Sequence, residues 1–143
     1  MRNQWNARNS NHIRPEELSD AVMAGLDEYR KMCVDDMKAA VTETAEFLKK
    51  ELRKTSPVAK KGKYRGQYAK SWRVKKNYET FEKLDLIVYA GVYWISHLLE
   101  HGHAKRGGGW VDAIPHIAPA EEKAEKMLLE DIVTALDNGG RVR

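Results

Sequence analysis

Residues 15–57 read PEELSDAVMAGLDEYRKMCVDDMKAAVTETAEFLKKELRKTSP. Within them Val22, Leu26, Tyr29, Cys33, Met37, Ala40, Thr44, Leu48 and Leu52 recur at steps of three and four. That spacing places them on one face of a helix, because the α-helix turns once every ~3.6 residues. Pro15 suits a first turn, where its missing N–H removes no intrahelical bond. Glu16 and Glu17 then lie at the positive end of the helix dipole. The stripe predicts a helix lasting to about Arg53, with Thr55-Ser56-Pro57 ending it. Such a helix is ~55–60 Å long at ~1.5 Å per residue. A compact body built from 143 residues is too small to cover it. Part of the stripe is therefore expected to pack on another chain.

Outward from this helix the pattern changes. Residues 1–14 are rich in Asn and Arg and lack periodicity, which predicts a flexible arm before a single α+β domain over 15–143. VAKKGKYRGQ (58–67) reads as a basic loop punctuated by glycine. In YAKSWRVKK (68–76), Tyr68, Trp72 and Val74 alternate with Ser71, Arg73 and Lys75, the mark of a half-buried strand. A turn near Asn77–Thr80 and the antiparallel partner LDLIVYAG follow, closed by Gly91. VYWISHLLEH predicts a helix of about three turns with Val92, Ile95, Leu98 and Leu99 inward, and Gly102 just past its end. WVDAI is expected to add a short third strand, after a flexible loop from His103 to Gly109. Ala118-Pro119-Ala120-Glu121-Glu122 opens a last helix, whose stripe is Ala124, Met127 or Leu128, Asp131 or Ile132, and Ala135. The order helix, hairpin, short helix, strand, helix is an α+β fold.

Composition narrows the function classes. Apolar residues make up 42% and charged ones 32%, as in a soluble globular protein. No apolar run approaches the ~20 residues of a bilayer span, and the N-terminus lacks the apolar core of a secretory signal, so the chain is expected to stay in the cytoplasm where it is made. Cys33 is the single cysteine, which excludes an internal disulfide and a cysteine-based zinc cage. Its place in the stripe reads as a small buried apolar residue. The net charge of +4 is unevenly spread. From Lys49 to Lys76 the chain carries lysines and arginines against Glu51 alone, whereas the last helix is mostly acidic. That split suits either a nucleic-acid surface, with Tyr64, Tyr68 and Trp72 as stacking residues, or complementary faces for neighbours in an assembly.

One motif raises catalysis directly. His97-x-x-Glu100-His101 has the spacing in which two histidines on one helical face bind zinc and a glutamate activates water. A catalytic zinc also needs a third ligand, for which His103 and His116 are the candidates, and an open position. Gly102 stops the helix immediately after His101, where a zinc-binding helix would continue. No later acidic helix is placed to support a ligand, and the chain is short for a peptide-binding cleft. The residues read better as structural: histidines suit the negative end of a helix, and His116 can fix the turn into the last helix. Gly107–Gly109 lacks the Gly-Lys-Ser/Thr ending of a phosphate loop, and Ser71 and Ser96 lack a nucleophile elbow. No enzyme, cofactor or metal is expected.

Three motifs in order carry a family resemblance. Ser56-Pro57 is followed by Gly66-Gln67-Tyr68-Ala69-Lys70-Ser71-Trp72. Leu99-Glu100-His101-Gly102-His103 makes a Leu-Glu-x-Gly-His turn before a glycine-bearing loop. Pro115-His116-Ile117-Ala118-Pro119-Ala120 opens the last helix. From about Ser56 to Glu122 the chain resembles the minor structural proteins of long-tailed phages that complete the neck and join head to tail. It departs from them in VAKKGKYR, a longer and more basic link. The resemblance implies a non-enzymatic, ring-forming virion protein, for example a hexamer, at the head–tail interface. Its partners would be itself, the connector, and tail-tube or tail-terminator proteins, with a transient DNA contact in the lumen also in view. Candidate interface residues are Lys60, Lys61, Lys63, Arg65, Glu100, His101, His103, Lys105, Arg106 and His116.

Overall fold

The computed structural model describes residues 14–138, so the expected N-terminal arm lies almost wholly outside the described residues. A 3₁₀ turn at Pro15–Glu17 leads into α1, Leu18–Thr55, a helix of 38 residues. It ends where Ser56 turns extended ahead of Pro57, whose predecessor is sterically driven out of the helical region. A loop carries the chain to α2, Gln67–Lys70, then to β1, Trp72–Glu79, and β2, Leu84–Ala90. After a 3₁₀ turn at Tyr93–Ile95 come α3, Ser96–His101, the two-residue strands β3, His103–Ala104, and β4, Trp110–Val111, and finally α4, Ile117–Asp137. The architecture is α+β, with α1 as the spine against which both the hairpin and α4 pack.

β1 and β2 pair antiparallel from Trp72↔Ala90 to Glu79↔Leu84, with a bulge between Lys76 and Tyr78. Trp72 is buried and Val74 half-buried on one face, while Arg73 and Lys75 are exposed on the other. The expected alternation therefore holds from Trp72 to Lys75. Upstream it does not, because Gln67–Lys70 is a helical turn. Tyr68 still reaches the core from there, since residues four apart share a face in a helix turn as they do in a strand. The hairpin turn also lies later than its sequence suggests, at Thr80–Lys83, closed by the Thr80 N–H to the Lys83 carbonyl at 2.8 Å.

The third strand forms but does not extend the hairpin. β4 pairs with β3 in a separate two-stranded ladder, His103↔Val111 and Ala104↔Trp110. The loop expected to be flexible is thus a tight hairpin, tied by Lys105 N–H to Gly109 O and Gly108 N–H to Lys105 O. The expected three-turn middle helix is one 3₁₀ turn plus the six residues of α3. Gly102 follows at φ 76°, ψ 171°, a region essentially restricted to glycine. A Cβ there would lie 2.6 Å from the Val111 carbonyl oxygen, so glycine is what lets α3 turn into β3 against β4.

The core centres on Leu52, Tyr68, Trp72, Ala90 and Ala120, with Leu48, Val88, Val92, Ile95, Leu99 and Ile117 packed around them. α1, α2, the β1–β2 hairpin, the 3₁₀ turn before α3, α3 and α4 all contribute. On α4 the predicted inner stripe is buried or half-buried from Ala124 to Ala135. On α1 only the later half of the stripe is covered, through Ala40, Thr44 and Leu52. Cys33 is half-buried, not buried, because it sits where that cover begins to fail.

Candidate functional site

The three sequence motifs converge on one buried set of polar contacts. Ser56, at the end of α1, accepts a hydrogen bond from the Trp72 indole N–H at 2.8 Å. The Arg53 guanidinium donates to the Trp72 carbonyl at 2.8 Å, fixing the start of β1 to α1. Trp72 meets Tyr68 edge to face, with ring centroids 5.8 Å apart. The Tyr68 hydroxyl lies 2.8 Å from Nε2 of His116, and Nδ1 of His116 lies 2.9 Å from the Ile114 carbonyl. A carbonyl can only accept, so Nδ1 carries the proton and the Tyr68 hydroxyl donates to Nε2. Burial raises the Tyr68 pKa and favours this neutral donor. His116 is 2% exposed and its ring is fully used.

Glu100 completes the set from α3. Its carboxylate accepts from the backbone N–H groups of His116, Ile117 and Ala118 at 2.9–3.0 Å. Those are donors of the first turn of α4, which has no intrahelical partner for them. Glu100 therefore caps α4 from across the fold, and its negative charge faces the positive helix end. Burial raises its pKa, but the three backbone donors outweigh that and hold it below the ordinary carboxylate value.

This geometry disposes of the zinc-type spacing as a constellation. His97 and His101 are exposed, while Glu100 is turned inward with both carboxylate oxygens engaged. His103 is half-buried and His116 is spent on Tyr68 and Ile114. Among the described residues no group of three or more His, Cys, Asp or Glu is arranged to hold a metal ion. Glu100 and His116, put forward as interface candidates, are engaged in contacts within the fold, their side chains 9% and 1% exposed.

The remaining candidates are on the surface. Lys60, Lys61, Lys63 and Arg65 are all exposed on the loop between α1 and α2, in company with Val58 at 50% and Tyr64 at 71% exposure. Lys105 and Arg106 are exposed at the β3–β4 turn, about 40 residues further along the chain. Beneath the basic loop is an open, mainly apolar groove of about 370 Å³, lined by Pro57, Val58, Tyr64, Ile95, Leu99 and Ile114 among others. Sequence reading did not single out Tyr93, Trp94 and Trp110, which are 73%, 59% and 58% exposed. Their signal was available: Tyr93 and Trp94 occupy the outward positions between inward Val92 and Ile95. Tyr68 and Trp72, by contrast, are each 5% exposed and cannot stack on a base.

A long uncovered apolar feature is the first part of α1. Leu18, Val22, Leu26 and Tyr29 are 46–57% exposed along one face. The hairpin reaches α1 as far as Arg30, which pairs with Glu82 and lies over the Phe81 ring. Nothing in the described chain covers the stripe before that point. The family model HK97-gp10-like, described as "Bacteriophage HK97-gp10, putative tail-component", matches residues 20–102. The match takes in most of α1, the basic loop, the hairpin and α3, more than half of the chain, and stops before the His116 motif. No curated protein and no solved structure matches the chain.

Proposed function

The chain belongs to the HK97-gp10-like family of bacteriophage tail components, and on that premise we propose that it forms a ring that completes the neck or tail and joins head to tail. The observation that carries the reading is the uncovered stripe of α1. Four apolar side chains at helical spacing stand in solvent, on the face that is buried further along the same helix. Burying a residue of this size is worth ~1.5–3 kcal/mol, so a neighbour that covered the stripe would gain substantially. Heterologous contacts between copies close into rings when the rotation permits.

In this role the chain is structural and performs no catalysis. Its neighbours are further copies of itself, the connector on the head side, and the tube or terminator proteins on the tail side. The basic loop, with Lys60, Lys61, Lys63 and Arg65, is the docking segment. The nucleic-acid reading is weaker, since burial removes Tyr68 and Trp72 as stacking residues and leaves Tyr64 alone.

The test is a nonsense mutation in the gene for this chain, within a phage that carries it, followed by electron microscopy of the lysate. Filled heads beside complete, unattached tails are the expected result. Joined, infective particles would end the proposal, and missing tails would move the protein into the tail tube. Replacing Lys60, Lys61 and Lys63 with glutamate should give the same unjoined parts from a chain that still folds.

A further inference from the structure

Two surfaces at opposite ends of α1 are matched in chemistry. At one end, residues 16–28 carry Glu16, Glu17, Asp20, Asp27 and Glu28 with no lysine or arginine, around the exposed stripe of Leu18, Val22, Leu26 and Tyr29. At the other end, residues 57–66 carry Lys60, Lys61, Lys63 and Arg65 with no acid, above the apolar groove. Most of α1's 38 residues separate the two, roughly 40 Å at ~1.5 Å per residue. The groove cannot therefore take the first part of α1, hereafter its arm, from its own chain. We propose that the acidic first part of α1 of one copy lies in the basic groove of the next copy, head to tail.

This inference rests on the ring reading and gives that ring its contact. The stripe supplies anchors at i, i+4, i+8 and i+11, the form of a helix laid in a groove. The groove, at about 370 Å³, lies within the ~300–1,000 Å³ range of pockets that accept apolar groups. The acids stand on the remaining faces of the helix, within reach of the flexible lysine side chains on the groove's outer wall. Val58 and Tyr64, exposed at 50% and 71%, would close over the seated helix. A second copy is the occupant because each chain offers both halves of the contact, on surfaces that cannot satisfy each other internally. Every copy in a closed ring then uses one arm and one groove.

The test uses full-length protein in two charge-reversed forms. One carries Asp20→Lys, Asp27→Lys and Glu28→Lys; the other carries Lys60→Glu, Lys61→Glu and Lys63→Glu. All six side chains are exposed, so circular dichroism should show both variants folded. Sedimentation velocity should show the wild type self-associating, more tightly at low salt, and each variant alone weakened at least ~10-fold. Mixing the two variants should restore association, because each reversed arm then meets an oppositely reversed groove. Adding Leu26→Ser to both should abolish that rescue.

Three results would overturn the proposal. A wild type that stays monomeric at every attainable concentration would remove self-docking. The electron microscopy above would then report separately on the head–tail role, which a different partner could still serve. Rescue that survives Leu26→Ser would mean simple attraction between oppositely charged proteins. Weakening by the arm reversal but not by the loop reversal would place the arm elsewhere, for example on the outer α4 stripe of Leu129, Val133 and Leu136, which are 48–57% exposed.

Discussion

Leu52 and Leu26 occupy one apolar stripe on one helix, yet the first is 2% exposed and the second 57%. Around Leu52 the chain returns three times, with α2, the hairpin and α4 all meeting the last turns of α1. Around Leu26 none of the described residues returns. The difference teaches that a periodic stripe records where a helix expects cover, and not whether the cover comes from its own chain. The later half of α1 is held by folding. The earlier half is left without cover by the described residues.

The largest effect expected from testing this contrast is at Leu52. Leu52→Ala should cost about 3–4 kcal/mol in denaturant unfolding, the loss of a buried side chain plus the cavity it leaves. A cost below about 1 kcal/mol would mean that the two halves of α1 are equally loose. Gly102→Ala comes next, at about 2–4 kcal/mol, since the added methyl meets both an unfavourable backbone region and the Val111 carbonyl. Gly107→Ala is the control. Nothing lies within 4 Å of its would-be Cβ, so its unfolding midpoint should stay close to that of the wild type.

Much of this arrangement was legible because it is local. The end of α1 at Ser56-Pro57, the alternation from Trp72 to Lys75 and the inner stripe of α4 all follow from short-range sterics and period. Tyr68 was misread for a physical reason: it precedes Trp72 by four residues, a spacing that suits a strand face and a helical turn alike. The strand at Trp110–Val111 was expected, but its pairing with β3 was missed because β3 has two residues and carries no periodic signal. The task of Glu100 was hidden for another reason. Its partners lie 16–18 residues away, and the His97-x-x-Glu100-His101 spacing points outward to a metal, whereas the fold turns the carboxylate inward to a helix end.

Glu100 sharpens the comparison from the folded side, at intermediate size. Glu100→Gln keeps the shape but loses the charge and sets an amide group against backbone donors, so it should cost about 1–2 kcal/mol at neutral pH. The folded pKa of Glu100 is depressed, so its contribution is complete above the unfolded value of ~4.3 and is lost as pH falls through the folded value. The wild type should therefore lose more stability than Glu100→Gln on acidification, and the two should converge in acid. Parallel curves down to the lowest pH would mean that the carboxylate does not cap α4 as a charged group.

The smallest effect is the sharpest test of the exposed half. Leu26→Ala removes as many carbon atoms as Leu52→Ala, from the same kind of helical position. In the monomer those atoms touch water, and alanine is the better helix former, so the change should stay within about 0.5 kcal/mol. Unfolding should be followed in dilute protein, where copies do not meet, because a neighbour that binds only the folded state would add apparent stability that rises with concentration. If Leu26→Ala is neutral in dilute protein but lowers the midpoint in concentrated protein, the stripe is covered between chains. A cost above about 1.5 kcal/mol at high dilution would place that cover within the chain and erase the distinction between the two ends of α1.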